Sequence, residues 1–176
     1  MRKLLFLCLF VMAHLCVSAQ SLIGNWVSEE LARNEAEEIK AVFTLNIPDS
    51  KSLNLTAACK MEEPNTVRLT FEMKFKGTYT KTGNELTFNL DPKEAQIGIK
   101  NIEYLGEAAE IIKEQPELEE ALKVLFNKAV EGEKDKVIEE LPLNTTFIID
   151  KLTDKQLTLT DKNENDRETL NFNRAE

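Results

Sequence analysis

The stretch from Val67 to Tyr79 constrains the fold more than any other part of the chain. Val67, Leu69, Phe71, Met73, Phe75 and Tyr79 share one parity, and Arg68, Thr70, Glu72, Lys74, Lys76 and Thr78 share the other, with Gly77 as the gap. A repeat of two belongs to an extended strand, whose successive side chains point to opposite sides. On a helix the same residues would be scattered around the circumference. The expected strand has one wet face and one buried face. Burying one large apolar side chain contributes roughly 1.5–3 kcal/mol, and a one-residue slip would lose that for the whole row and bury charges instead.

The pattern recurs along the chain. Ala41, Phe43, Leu45 and Ile47 alternate with Val42, Thr44 and Asn46, and Leu53, Leu55, Ala57, Cys59 and Met61, then Leu86, Phe88 and Leu90, alternate with polar or small neighbours. Further strands are expected over 146–152, around Leu157 and Leu159, and around Leu170 and Phe172. Ile97 and Ile99 begin another, but Ile102 and Tyr104 carry the opposite parity, which a β-bulge near Asn101 would produce. Turn-forming residues separate these runs, at Pro48-Asp49-Ser50, Glu63-Pro64-Asn65, Thr82-Gly83-Asn84 and 161–166. Short gaps of this kind join strands as hairpins, so the sheet is expected to be antiparallel.

One region breaks the rule. Residues 107–140 are highly charged and show helical spacing, with Leu118, Leu122, Leu125 and Ala129 on one face and Ala121 and Phe126 beside it. Pro116 suits the first turn of a helix, which makes 107–114 a separate piece. Gly132 is expected to end the central helix, 134–140 to form a short third one, and Pro142 to stop helical structure altogether. This region reads as an insertion before the last three strands, packed on the sheet or across its mouth.

The N-terminus has the three parts of a secretory signal peptide: basic Met1-Arg2-Lys3, an apolar run from Leu4 to Val17, and small residues at Val17-Ser18-Ala19. The run is shorter than the roughly 20 residues of a bilayer span. We expect residues 1–19 to be removed and residues 20–176 to form one domain, exported to the periplasm or outside the cell. The remaining chain carries 20 basic and 31 acidic residues, a formal charge of −11. Such a surface repels phosphate backbones and anionic lipid heads, so nucleic acid and membrane surfaces are not expected partners. His14, Cys8 and Cys16 leave with the signal, so Cys59 is the one cysteine left and no histidine remains. Histidine-based triads, Cys–His pairs, histidine metal sites and an internal disulfide are thereby excluded from the mature chain. The expected protein is not an enzyme and requires no cofactor or metal.

About nine short strands in one chain imply a closed barrel or a sandwich. Gly24-Asn25-Trp26 bears on that choice. A Gly-x-Trp sequence opening the first strand resembles the signature of lipocalins and their calycin relatives, in which the tryptophan closes the barrel floor under a basic residue from near the last strand. Arg174, after Leu170-Asn171-Phe172-Asn173, is placed for that role through a cation–π contact. The stretches 75–88 and 147–159 also resemble exported lipocalin-like proteins common in Bacteroidetes. The resemblance covers about residues 22–106 and 144–174, and it implies a mainly β, antiparallel up-and-down barrel of about eight or nine strands. Two features depart from it: lipocalins place their helix after the last strand, and Thr153-Asp154-Lys155 lacks the tyrosine of the family's Thr-Asp-Tyr element.

If the barrel is hollow, Phe71, Met73, Phe75, Tyr79 and Phe88 line it, with Tyr79 placed to orient a ligand. If it is filled, they are core. A small barrel permits either. Trp26 reads as a floor plug and Cys59 as a small buried hydrophobe. Asp161, Asn163, Asn165 and Asp166 imitate a calcium loop, but Asp166 stands where the loop needs glycine and Phe172 where it needs glutamate. Glu117, Glu119, Glu120, Glu139 and Glu140 read as a solvated helix face. Asn54 and Asn144 begin glycosylation triplets that have meaning only in a eukaryotic host. Ser21, Ser28, Ser50 and Ser52 lack a histidine base and read as solvated positions. Three functions follow in order: a carrier of a small apolar molecule; a filled barrel contacting a protein partner through the helical insert; and a carboxylate-based enzyme, which would need two acids pointing inward, where the clear strands offer none.

Overall fold

The computed structural model describes residues 21–34, 37–162 and 169–175, with backbone alone for 29–34 and 37–40. The expected signal segment lies outside the described residues. Nine strands follow in order: β1 (Gly24–Asn34), β2 (Glu37–Ile47), β3 (Ser52–Glu63), β4 (Val67–Thr82), β5 (Glu85–Leu90), β6 (Gln96–Tyr104), β7 (Asn144–Leu152), β8 (Gln156–Asp161) and β9 (Thr169–Arg174). Two helices, α1 (Gly106–Glu114) and α2 (Glu117–Glu140), stand between β6 and β7. All pairings are antiparallel. The order β3-β2-β1-β9-β8-β7-β5-β4 closes on itself through β3–β4, giving an eight-stranded up-and-down barrel with β6 as an additional strand. This is the expected fold class, with the helical insert where the sequence places it.

The barrel wall is uneven in height, and the cause lies along β4. Strand β5 pairs with its second half, from Gly77 to Thr82, and β6 pairs with its first half, from Val67 to Lys74. The two shorter strands thus lie end to end on one edge of β4, separated by a 3-10 turn at Pro92–Glu94 that Asp91 caps by accepting from the Lys93 amide. Gly77 sits at the junction. A Cβ there would come within 2.2 Å of the Asn89 carbonyl oxygen, so only glycine lets β5 approach this closely. In β6, Asn101 faces Thr70 and Ile99 faces Phe71, which leaves Lys100 as the extra residue of the bulge that the parity switch foretold.

Burial follows these two levels. Around Trp26 all eight strands surround the interior, and Trp26, Leu45, Ile47, Leu53, Leu86, Leu157 and Leu159 are fully buried. Higher up, the described sheet continues through β1, β2, β3, β4 and β6, while β9 is opposed to β1 near its start, at Trp26 and Val27. Of the apolar row on β4, Phe75 and Tyr79 are buried, whereas Val67, Leu69, Phe71 and Met73 are half-buried. The row faces one way throughout, but its first half lies above the closed ring. The same fall-off runs along β3, from buried Leu53 to Met61 at 44% exposure.

The helices stand beside this taller wall, with both packing on β6. Here two expectations are corrected. Helix α2 runs unbroken through Gly132 to Glu140, so 134–140 are its last turns and not a separate helix. Gly132 is exposed and its φ is not positive, so it does not adopt the left-handed conformation that would end the helix, and an interior glycine costs only about 1 kcal/mol relative to alanine. The stop comes at Leu141, which is extended because it precedes Pro142. The inward face also differs. Leu118, Leu122, Phe126 and Val130, with Val137 and Ile138, turn toward the protein, whereas Ala121, Leu125 and Ala129 are exposed. Both readings share Leu118 and Leu122. They part at the next turn, where the larger Phe126 takes the inner side from Leu125.

Candidate functional site

The closed end is built around Trp26. Its indole N–H donates to the Leu22 carbonyl at 2.8 Å, so the one polar atom of a fully buried side chain is satisfied. Pairing of Trp26 with Arg174 brings the guanidinium carbon 4.7 Å from the centre of the indole ring. That guanidinium also donates to the carbonyls of Ile23 at 2.7 Å and Ser21 at 3.2 Å. Gly24 has a φ of +148°, and a Cβ on it would lie 2.9 Å from the Arg174 guanidinium. The Gly-x-Trp sequence thus has a local cause: glycine leaves room for the arginine that covers the tryptophan.

Above this packed layer lies a cavity of about 260 Å³. Directly opposed residues of paired strands share a face, so Leu55 with Phe75 and Ala57 with Met73 form one apolar wall. Phe88 and Phe147 continue the lining on the neighbouring strands β5 and β7, their rings 5.2 Å apart and tilted by 55°. Leu141, Pro142 and Leu143, the link between α2 and β7, complete the lining near Leu90. Ile138 anchors that link, packing with Phe75, Ala95 and Met73. Two lining residues are polar: Thr145, whose hydroxyl donates to the Pro142 carbonyl at 2.9 Å, and Asp161.

Of the residues proposed as lining, Met73, Phe75 and Phe88 meet at this cavity. Phe71 lies one layer higher, opposite Cys59. Tyr79 lies at the closed end, where its hydroxyl donates to the Asp49 carbonyl at 3.1 Å, away from the cavity lining. Burial raises the Tyr79 pKa, and the Asp49 charge adds to that shift. The interior is neither wholly hollow nor wholly filled, because the two levels differ.

Asp161, expected in a solvated turn, instead ends β8 and borders the cavity. It continues the parity of buried Leu157 and Leu159 along β8, so the signal was present in the sequence; reading the residue as part of a loop concealed it. Thr145 has the same origin on β7, in phase with Phe147. Nothing in the sequence marked Leu141–Leu143, because they line the cavity only through the path of the insert.

The remaining candidates separate cleanly. Cys59 is half-buried, and burial raises its thiol pKa, which keeps the unreactive thiol form. Ser28, expected to be solvated, is buried and pairs opposite Phe43 on the inner face. Asn163, Asn165 and Asp166 lie outside the described residues, and among the described residues no acidic or thiol cluster is arranged to hold a metal ion. Glu117, Glu119, Glu120, Glu139 and Glu140 are exposed. Asn54 and Asn144 are on the outer surface, donating to Asn46 at 3.0 Å and Asn89 at 2.8 Å. Among the described residues no helix is long and apolar enough to cross a membrane. Compared with protein-family models and with curated proteins, the chain matches none.

Proposed function

We propose that this chain is an exported, lipocalin-like binding protein that carries one small apolar molecule in the upper part of its barrel. The observation that carries this reading is the cavity of about 260 Å³ with mostly apolar walls. Apolar cavities of about 150 Å³ stay dry and take up benzene-sized molecules. This one has room for a single ring with a short tail or a medium-length chain, and lies just below the usual range for drug-sized ligands of roughly 300–1,000 Å³. Affinity comes chiefly from removing apolar surface from water on both partners. The Gly24, Trp26 and Arg174 cluster supports the lipocalin-like assignment, and the sequence of residues 1–19 supports export.

Calorimetric titration with octan-1-ol tests the container directly. Saturable binding of one molecule per chain is the expected result, and native mass spectrometry of protein from its own host is expected to find a retained small molecule. Absence of saturable octan-1-ol binding would sink the reading. A second reading, docking of a protein partner on the insert, draws on the exposure of Leu125 at 61%, Ile111 at 50% and Val124 at 46%. Photocrosslinking from position 125 in the native host tests it: a specific adduct that Val124→Asp abolishes, with octan-1-ol affinity unchanged, is the expected result, and no adduct defeats it.

A further inference from the structure

The cavity gathers the chain's phenylalanines. Phe6 and Phe10 belong to the expected signal segment, and of the seven others five line this one space: Phe43, Phe75, Phe88, Phe147 and Phe172. They come from five strands, β2, β4, β5, β7 and β9, so no single apolar row accounts for them. The packed end is built differently. Its fully buried apolar side chains are leucine and isoleucine around a single aromatic, Trp26. Filling this barrel therefore does not call for phenyl rings, and they concentrate at the level that keeps space. An aromatic ring has a negative face and a positive edge, which favours tilted or offset ring partners roughly 4.5–7 Å apart. Phe88 and Phe147 already stand in that relation, 5.2 Å apart and tilted by 55°. Met73, also in the lining, adds a thioether, a group that favours ring contacts.

Resting on the container reading, we infer that the cavity selects an apolar molecule carrying an aromatic ring over a saturated one of similar size. The guest ring meets phenyl faces and edges contributed by several strands, and its tail takes the aliphatic part of the lining, at Leu55, Leu90 and Leu143. Transfer from water alone gives the opposite order. A saturated ring is the more hydrophobic of the two, because an aromatic face still attracts water. A preference for the aromatic guest must therefore come from the walls, and the phenylalanines are the part of the walls that can supply it.

The test compares 3-phenylpropan-1-ol with 3-cyclohexylpropan-1-ol on the full protein by calorimetry. The phenyl compound is expected to bind about threefold tighter. Phe43 and Phe147 are the half-buried members of the five, so the double variant Phe43→Leu with Phe147→Leu removes two rings where the fold tolerates it best. It is expected to bring the ratio of the two affinities to one or below, whatever it does to either alone. A second readout needs no variant. Met73 lines the cavity and Met61 stands 44% exposed high on β3, so methionine methyl NMR distinguishes the cavity from the outer surface. The ring current of bound 3-phenylpropan-1-ol should shift the Met73 methyl and leave that of Met61 in place, and the cyclohexyl compound should shift Met73 less. The inference is overturned if the cyclohexyl compound binds as tightly to the wild-type protein, if the full ratio survives the double variant, or if the Met73 methyl does not move. Failure of octan-1-ol to bind overturns the container and this inference together, whereas binding of octan-1-ol without preference for the phenyl compound overturns the inference alone.

Discussion

The two levels of the barrel carry the same alternating pattern and use it differently. Around Trp26 the inward residues of eight strands converge, and Leu45, Leu86, Leu157 and Leu159 are fully buried. One layer up, Phe71, Met73 and Leu69 have the same parity as Phe75 and Tyr79 yet remain half-buried, because the short strands β5, β7, β8 and β9 do not reach them. Period two records which way a side chain points. How well it is covered depends on how many strands are present at that height. The lower layer holds the fold together, and the upper layer is where space remains for a ligand.

If this division is right, truncations should rank by level. Trp26→Ala should be the most damaging, costing about 3–5 kcal/mol in urea unfolding, since it empties the packed end. Leu159→Ala at the same level should cost about 2–5 kcal/mol, whereas Leu69→Ala, half-exposed above the ring, should cost about 1 kcal/mol or less. Equal losses at Leu159 and Leu69 would break the distinction. Filling the upper layer should have the opposite character. Overpacking a close-packed core costs about 1–3 kcal/mol, but Ala57→Leu should change stability by less than about 1 kcal/mol, because the added atoms enter existing space. The same variant should weaken octan-1-ol binding about tenfold if it occupies the ligand's place.

The smallest expected effect concerns the β2–β3 turn at the closed end. The amides of Ser52 and Lys51 donate to the Asp49 carboxylate at 2.7 and 2.8 Å and hold its pKa below the ordinary value of 3.8. A carboxyl lowered in the folded state stabilises above its unfolded pKa, and that contribution is lost as pH falls through the folded value. Asp49→Ala should therefore lower Tm at pH 7, and the difference from the wild-type protein should shrink below about pH 3.8. A Tm difference unchanged between pH 7 and pH 3 would show that the turn does not depend on the ionised group.

Much of this architecture is legible in the sequence, for identifiable reasons. The strands, their turns and the bulge at Lys100 are local consequences of parity and turn chemistry. The cavity is legible only in part. Met73, Phe75 and Phe88 could be proposed because they lie on clear inward rows. Asp161 follows the row of Leu157 and Leu159, but its polar neighbours resemble a loop. Leu141–Leu143 depend on where a 24-residue helix ends in space, which no local pattern encodes. The uneven wall height was hidden for the same reason: it arises because β5 and β6 share one edge of β4, a relation between segments and not a property of either.

The seam between β1 and β9 has a consequence for the order of assembly. Among the described residues it includes the directly opposed pairs Trp26 with Arg174 and Val27 with Asn173, and the Ala175 amide donating to the Asn25 carbonyl at 2.9 Å, joining positions almost the whole chain apart. A short pairing that closes so large a loop gains little on its own. The hairpins of β1 to β4 each close a short loop and are expected to form first, with the ring shutting last. In native-state hydrogen exchange the Ala175 amide, which donates to the Asn25 carbonyl across the seam, should exchange well before those of β3 and β4.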